Sequence, residues 1–124
     1  MNLPLINYLE FPCRNMEATR QFFTRVFGWE FTDYGPDYMA FSAQQAGMNG
    51  GFFRSDSCST TNNGAALVVF FSHDLEATQA DIEANGGHVV QPIFHFPGGR
   101  RFHFVEPSGN ELAVWSAVDE QQPE

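Results

Sequence analysis

Glu10 is the ionisable residue whose position in the sequence says most about possible chemistry. It lies in the apolar segment INYLEF, residues 6–11. In an alternating strand Glu10 and Tyr8 share one face, while Leu9 and Phe11 occupy the other and pack under a helix. A carboxylate turned toward an enclosed cavity needs an arginine, a proton or a ligand donor. Glu10 is therefore a candidate catalytic base, or an anchor for a cationic or hydrogen-bond-donating ligand; the alternatives are an ion pair with an arginine and a hydrated carboxylate at the sheet edge.

Two histidines flank a turn in the segment FHFPGGRRFHF. A three-residue loop places His95 opposite His103, whereas a two- or four-residue loop places His95 opposite Phe102. Two histidines without a third ligand make a weak metal site, so cross-strand polar packing is the favoured interpretation. The adjacent Arg100 and Arg101 either clamp a carboxylate with their guanidinium forks or belong to a solvated turn.

The stretch FHFVEPSGNELAVW, residues 102–115, is predicted to form two strands joined by a Pro-Ser-Gly-Asn turn. Glu111, Ala113 and Trp115 alternate in the second strand and share one face. Glu111 is either a solvated carboxylate at the rim of the cavity or a metal ligand displaced by one step along the strand from Ala113. Trp115, together with Tyr8, is expected to line a cavity, where aromatic walls suit a flat or cationic organic ligand.

Composition and charge exclude several classes of function. The chain of 124 residues has a formal net charge of -9, which argues against a nucleic-acid partner. All six basic residues are arginines, so Schiff-base chemistry and a P-loop lysine are excluded. Apolar runs are too short to cross a membrane, and no signal segment is recognisable, so we expect a soluble cytoplasmic protein. Cys13 and Cys58 form no CxxC pair and are interpreted as free thiols.

The elements that must position these residues occur twice in the same order. Residues 3–54 are predicted to form one module, and residues 65–116 a second. In each, a strand, a helix and three further strands follow one another, with helix caps at Asn15 and Asp74 and helix ends at Gly28 and the Asn-Gly-Gly segment. Residues 55–64 read as a polar connector, and residues 117–124 as an acidic tail. The predicted strands are residues 6–11, 29–34, 38–42, 50–54, 66–72, 88–94, 101–105 and 111–115.

The sequence resembles the vicinal oxygen chelate superfamily, which includes glyoxalase I, bleomycin resistance proteins and extradiol dioxygenases. The resemblance rests on LEFPCRNMEATRQFFTRVFGWEF, residues 9–31, on SHDLEATQADIEANGGHVVQP, residues 72–92, and on the EPSGNELAVW turn and strand. It implies an α+β fold in which two paired βαβββ modules form a curved mixed sheet around a cavity, with the helices outside. It also implies a homodimer, because family members commonly complete their cavities across a subunit interface.

In the family's enzymes the resemblance implies a metal held by four inward-facing side chains, usually two His and two Glu. The matching positions in this sequence hold a tyrosine and otherwise residues without a donor atom, so no metal ligand is expected. These positions are Tyr8, Leu67 or Val68, Gly51 or Phe53, and Ala113.

Two functions follow. The first is a metal-free protein that binds a small organic molecule, cationic or aromatic, by analogy with bleomycin resistance proteins, and that takes no cofactor, nucleic acid or membrane as partner. The second is a glyoxalase-like lyase, isomerase or dioxygenase that uses a divalent metal at displaced ligands, or Glu10 as general base. The predicted ligand-binding residues are Tyr8, Glu10, Val68, Phe70, His103, Glu111, Ala113 and Trp115.

Overall fold

A computed structural model describes residues 2–118, so the predicted acidic tail lies outside the described residues from position 119 onward. The first module contains two helices and four strands, and so has one short helix that the sequence did not predict. In chain order its elements are β1 (Tyr8–Cys13), α1 (Met16–Phe27), β2 (Phe31–Asp33), β3 (Tyr38–Phe41), α2 (Ala43–Ala46) and β4 (Asn49–Arg54). The second module contains β5 (Val68–Phe71), α3 (Leu75–Ala84), β6 (His88–Phe96), β7 (Gly99–Val105) and β8 (Glu111–Ala117).

The strands form two four-stranded mixed sheets, in the orders β1-β4-β3-β2 and β5-β8-β7-β6. In each sheet the first strand pairs in parallel with the last, and the remaining pairs are antiparallel. The α+β architecture of two repeated modules is therefore confirmed. The strands are hydrogen-bonded as two separate sheets, where a single curved sheet was expected.

Both long helices begin and end where the sequence predicts. The Asn15 side chain accepts a hydrogen bond from the backbone of Ala18, and Gly28 ends α1 in the left-handed conformation at φ 74°. Asp74 caps α3 in the same way, through the backbone N–H of Ala77. These signals are local in the chain, which is why they can be recognised without any knowledge of tertiary contacts.

One hydrophobic core is shared by the two modules. Phe22 and Phe23 of α1 and Ile82 of α3 are fully buried. The ring of Phe22 lies 5.9 Å from the ring of Phe104 in the second module, and the ring of Phe27 stacks on Phe70 at 4.2 Å. Burying a phenylalanine side chain contributes roughly 1.5–3 kcal/mol, so these contacts bind the modules together strongly.

A polar cluster also joins the modules, and we call it the inter-module clasp. The buried carboxylate of Glu106 accepts hydrogen bonds from the Thr19 hydroxyl at 2.7 Å and from the Ser108 backbone at 2.9 Å. The backbone and side-chain amides of Asn110 also donate to it, at 3.3 and 2.7 Å. Burial nevertheless raises the pKa of Glu106 above its ordinary value. The clasp consists of Pro12, Cys13, Asn15, Thr19, Glu106, Ser108 and Asn110.

The hairpin between β6 and β7 has a register that differs from both of those considered from the sequence, although its loop length was among them. Phe96 pairs with Gly99, so the loop has two residues, and His95 lies opposite Arg100. Register shifts in β6 then bring Gln91 opposite His103. The two histidines therefore do not face each other, and a two-histidine site across this hairpin is excluded.

None of the helices in residues 2–118 is long and apolar enough to cross a lipid bilayer.

Candidate functional site

Each sheet has one face against the helices and one turned away from them, which we call its outer face. Along β1, Leu9, Phe11 and Cys13 face the core, as the alternation predicts. The first outer face carries Tyr8, Glu10, Tyr38, Ala40, Gly51 and Phe53. The second carries Val69, Phe71, Phe94, Arg101, His103, Glu111, Ala113 and Trp115.

On the first outer face, two tyrosines and Glu10 form a hydrogen-bonded row. The Tyr38 hydroxyl donates to Glu10 at 2.9 Å, and it lies 2.7 Å from the Tyr8 hydroxyl. Because the single proton of Tyr38 is given to the carboxylate, Tyr8 must be the donor to Tyr38. Glu10 is exposed on an edge strand, which agrees with the alternative of a hydrated carboxylate and corrects the expectation of an enclosed one; its partner is a phenol and not an arginine.

The absence of a side chain at Gly51 lets Tyr38 reach this row. A Cβ atom at position 51 would lie 2.3 Å from the Tyr38 hydroxyl, so the ring occupies the space that any other residue would fill. Burial, followed by the hydrogen bonds to Tyr8 and Glu10, raises the pKa of Tyr38 far above its ordinary value of 10.0. Tyr38 therefore stays protonated and acts as a fixed donor to Glu10.

On the second outer face, four polar side chains form a row from the connector to β7. The backbone and hydroxyl of Thr61 donate to one oxygen of Glu111, at 2.7 and 2.9 Å. The other oxygen lies 3.0 Å from Nδ1 of His103, and Nε2 of His103 lies 2.9 Å from Nη2 of Arg101. The Glu111 and His103 side chains are only 11% and 14% exposed, so Glu111 is not the solvated rim carboxylate considered from the sequence.

The chemistry of the partners fixes the protonation of this row. A guanidinium has only donors, so His103 Nε2 must accept from Arg101, and the ring proton lies on Nδ1, where it is donated to Glu111. Burial alone would raise the pKa of Glu111. The Thr61 backbone, His103 and the Thr61 hydroxyl together outweigh burial and lower that pKa. Glu111 and neutral His103 therefore hold Arg101 in one orientation.

Aromatic rings surround this arginine. The Arg101 guanidinium lies over Phe94 and Phe96, 5.7 and 5.9 Å from the ring centroids. The ring of Trp115 meets Phe96 edge-on at 6.0 Å and Phe71 at 5.0 Å. Phe71 is 44% exposed, so part of this aromatic surface is open.

The structure separates the predicted ligand-binding residues into three places. Tyr8 lies beside Tyr38 in a cavity of about 680 Å³, and Glu10 is bonded to that tyrosine. The four predicted residues of β7 and β8 lie on the second outer face; they are His103, Glu111, Ala113 and Trp115. Val68 and Phe70 line a third place, a largely apolar cavity of about 760 Å³ that is also lined by Leu9, Trp29 and Phe41.

Val68 and Phe70 do not share a face with Ala113 and Trp115, and this corrects the expectation. Phe70 stacks on Phe27 of the core, and the register of β5 pairs Ala113 with Val69 and Trp115 with Phe71. Because β5 is apolar at every position, no alternation in the sequence marks which residues face outward. Val69 and Phe71 are the residues of β5 on the second outer face.

Sequence reasoning missed Tyr38 and Thr61, which organise the two outer faces, and Glu106, which organises the inter-module clasp. The EPSGN segment contained a signal for Glu106, since a carboxylate directly before a turn can accept bonds from the turn's backbone. Of the two adjacent arginines, Arg100 makes a two-pronged ion pair with Glu76, at 2.6 and 3.1 Å. Arg101 alone remains available on the outer face.

The four-ligand metal site of the vicinal oxygen chelate enzymes does not fit the residues present. Ala113 offers no donor atom, and the Tyr38 ring fills the space above Gly51. Within residues 2–118, no three His, Cys, Asp or Glu side chains lie close enough to hold a metal ion together. His103 and Glu111 are one pair, and the second nitrogen of His103 already accepts from Arg101.

Comparison with known proteins agrees with the architecture. Residues 5–114 match the profile of the Glyoxalase/Bleomycin resistance protein/Dioxygenase superfamily. No curated protein matches the chain. The structure is similar to protein ATC0852 from Agrobacterium tumefaciens, with a TM-score of 0.76 and 17% identity over 93% of this chain and 98% of that one.

Two further similar structures have names that refer to antibiotics. The fosfomycin resistance protein FosX from Listeria monocytogenes superposes with a TM-score of 0.73 and 16% identity, over 98% of this chain and all 100% of that one. TnmS3, an antibiotic binding protein from Streptomyces sp. CB03234, gives 0.66 and 16% identity, over 94% and 98%. At these identities the likeness shows the shared fold. With the profile match over most of its length, the chain belongs to the Glyoxalase/Bleomycin resistance protein/Dioxygenase superfamily.

Proposed function

We propose that this protein binds a small organic molecule with a flat aromatic ring, and that it does so without a metal ion. The observation that carries the proposal is the row of aromatic rings on the second outer face. These rings lie on the side of the sheet away from the core, which has an aromatic cluster of its own, so they are not needed to fill the core. Phe71 is exposed and Phe94, Phe96 and Trp115 are half-buried, and a contiguous apolar surface of this kind marks an interaction site. The names of FosX and TnmS3 support the same class, because both refer to small antibiotic molecules.

The first outer face supports the proposal in a complementary way. Tyr8 is 47% exposed, and Glu10 keeps free acceptor positions beside it. A ligand group that donates hydrogen bonds, or that is cationic, suits this carboxylate and the adjacent ring faces. Glu10→Gln should weaken the binding of such a ligand while leaving binding through the second outer face intact.

The test is a thermal-shift screen of aromatic small molecules against the full chain, run with EDTA and again with added Mg²⁺, Mn²⁺ or Zn²⁺. A ligand that binds the folded state at about 100 times its Kd stabilises it by roughly 2.7 kcal/mol, which a shift in Tm reports. We expect hits in EDTA that are unchanged by metal. Hits that require a divalent ion would instead support the enzyme alternative, with His103 and Glu111 as the first ligands to substitute.

A matched pair of variants locates the site. Trp115→Ala should abolish the shift of a hit, whereas Leu3→Ala, which removes an exposed apolar side chain away from this face, should leave it unchanged. Trp29 is buried and remains as an internal fluorescence reference. Equal shifts in both variants would contradict binding at the second outer face.

We further propose that two copies of the chain pair in solution. The exposed apolar side chains Leu5, Ile6 and Val69, and the apolar cavity beside β1 and β5, support an additional interface. Light scattering tests this directly, and a monomer at micromolar concentration would refute it.

A further inference from the structure

We propose that the ligand carries a carboxylate and that Arg101 binds it on the second outer face. The inference rests on the proposed function and extends it from a ring-shaped ligand to an aromatic acid. It depends on three observations: an arginine without an acidic partner, a hydrogen-bonded row that fixes its direction, and aromatic rings on the same face of the neighbouring strands.

Arg101 differs from the other arginines that make polar contacts. Arg20, Arg54 and Arg100 each pair with a carboxylate, at 2.6, 2.7 and 2.6 Å. Among residues 2–118, Arg101 forms no ion pair. Its one polar contact is to neutral His103, and its Nε is buried without a hydrogen-bond partner.

A half-buried guanidinium without an anion is energetically unfavourable, because it has lost water and gained no opposite charge. In a chain of net charge -9, an acidic partner would have been easy to supply. The nearby carboxylate, Glu111, is instead separated from Arg101 by the His103 ring. Nη1 has no hydrogen bond to any described residue, so donors of the guanidinium remain for an incoming acceptor.

The row behind Arg101 sets its orientation. Glu111 is fixed by two bonds from Thr61 and accepts the Nδ1 proton of His103, and this leaves His103 Nε2 to accept one proton of Arg101. Phe94 and Phe96 support the guanidinium plane. A planar fork held in this way matches the two oxygens of a carboxylate better than it matches a single acceptor atom.

The surrounding rings define the rest of the ligand. Trp115 is the register partner of Arg101 on the neighbouring strand, and it contacts Phe71 and Phe96. Neighbouring strands lie roughly 4.8 Å apart, so a ring stacked on Trp115 places a directly attached carboxylate at Arg101. An aromatic acid of one or two fused rings therefore fits both groups at once.

The experiment compares 2-naphthoate with 2-naphthamide, which have the same shape but differ in charge, by calorimetric titration of the full chain at pH 7. We expect wild-type protein to bind the acid more tightly by on the order of ten- to a hundredfold, because hydrogen bonds to charged groups contribute about 1.5–3 kcal/mol. Arg101→Gln should remove this preference and retain binding of the amide. Arg25→Gln, the same change at an exposed arginine, should preserve the preference.

The outcomes are separable. Equal affinity for acid and amide in the wild-type protein overturns the carboxylate inference and leaves the proposed function standing. No binding of either probe overturns the proposed function, and the inference with it. If Arg101→Gln still prefers the acid to the amide, another residue binds the carboxylate of the ligand, and the inference is overturned. The wild-type comparison requires no variant, so it stands even if Arg101→Gln fails to fold, which thermal unfolding reports.

Discussion

Replacing Glu106 with glutamine is the sharpest test of how the two modules are held together. The carboxylate accepts four hydrogen bonds, two at each oxygen. A glutamine keeps one of these oxygens and has an amino group in place of the other. The amino group cannot accept hydrogen bonds from the donors that it faces. Either the Asn110 amides or the Thr19 and Ser108 donors lose their partner, whichever way the amide is oriented.

The expected loss follows from these bonds. An unsatisfied buried donor costs about 1–3 kcal/mol, and two are created. The removal of a buried charge, whose desolvation raises the pKa of Glu106, offsets part of this cost. We expect Glu106→Gln to lower the free energy of unfolding by roughly 2–4 kcal/mol, which for a domain of this size is on the order of 10 °C in Tm.

The assay is urea unfolding at 25 °C, with Glu83→Gln as the matched control, because Glu83 is exposed. The pH dependence has a definite sign. With its pKa raised in the folded state, Glu106 stabilises the fold most at pH values below 4.5, and this contribution is lost as pH rises through the raised pKa. The penalty of Glu106→Gln should therefore be larger near pH 4.5 than near pH 8. A change of less than about 0.5 kcal/mol at both pH values would refute the role of Glu106, because that is the ordinary effect of a surface substitution.

Three further predictions concern the core, the outer face and the surface. Gly51→Ala should displace the Tyr38 ring and let one tyrosine ionise at lower pH than in the wild type, as measured by absorbance at alkaline pH; an unchanged titration would contradict the packing of Tyr38 over Gly51. Phe22→Ala should cost about 3–5 kcal/mol in urea unfolding, because it opens a cavity where the modules meet, and a loss below about 1 kcal/mol would argue against a shared core. A double-mutant cycle with Glu76→Gln and Arg100→Gln should give a coupling of at most about 1 kcal/mol, since Glu76 is largely exposed, and a larger value would mean that the pair is shielded from water.

The parts of the structure that were predictable from sequence depend on neighbours in the chain. The caps at Asn15 and Asp74 and the stop at Gly28 are local signals, and they are confirmed. The alternation of Leu9 and Phe11 with polar neighbours identified the core face of β1, because polar and apolar positions differ there. The repeated order of elements then followed, and with it the fold.

The parts that were not predictable depend on register and on distant contacts. The separation of Val68 and Phe70 from Ala113 and Trp115 could not be predicted, because β5 is apolar throughout. The partner of Glu10 is Tyr38, 28 positions away, and the contact exists only because two strands bring them to one face over Gly51. The hairpin between β6 and β7 could not be aligned in advance, since register shifts within β6 change which residue faces His103.

The inter-module clasp also constrains how the chain reaches its native state. Its hydrogen bonds between the two modules connect positions that are 87 to 98 residues apart. During synthesis, α1 therefore leaves the ribosome long before Ser108, which bonds to the helix cap Asn15. At that stage the Phe22 ring also has no Phe104 ring to pack against. Contacts of such long range slow folding, so final closure of the structure waits until Asn110 has left the ribosome.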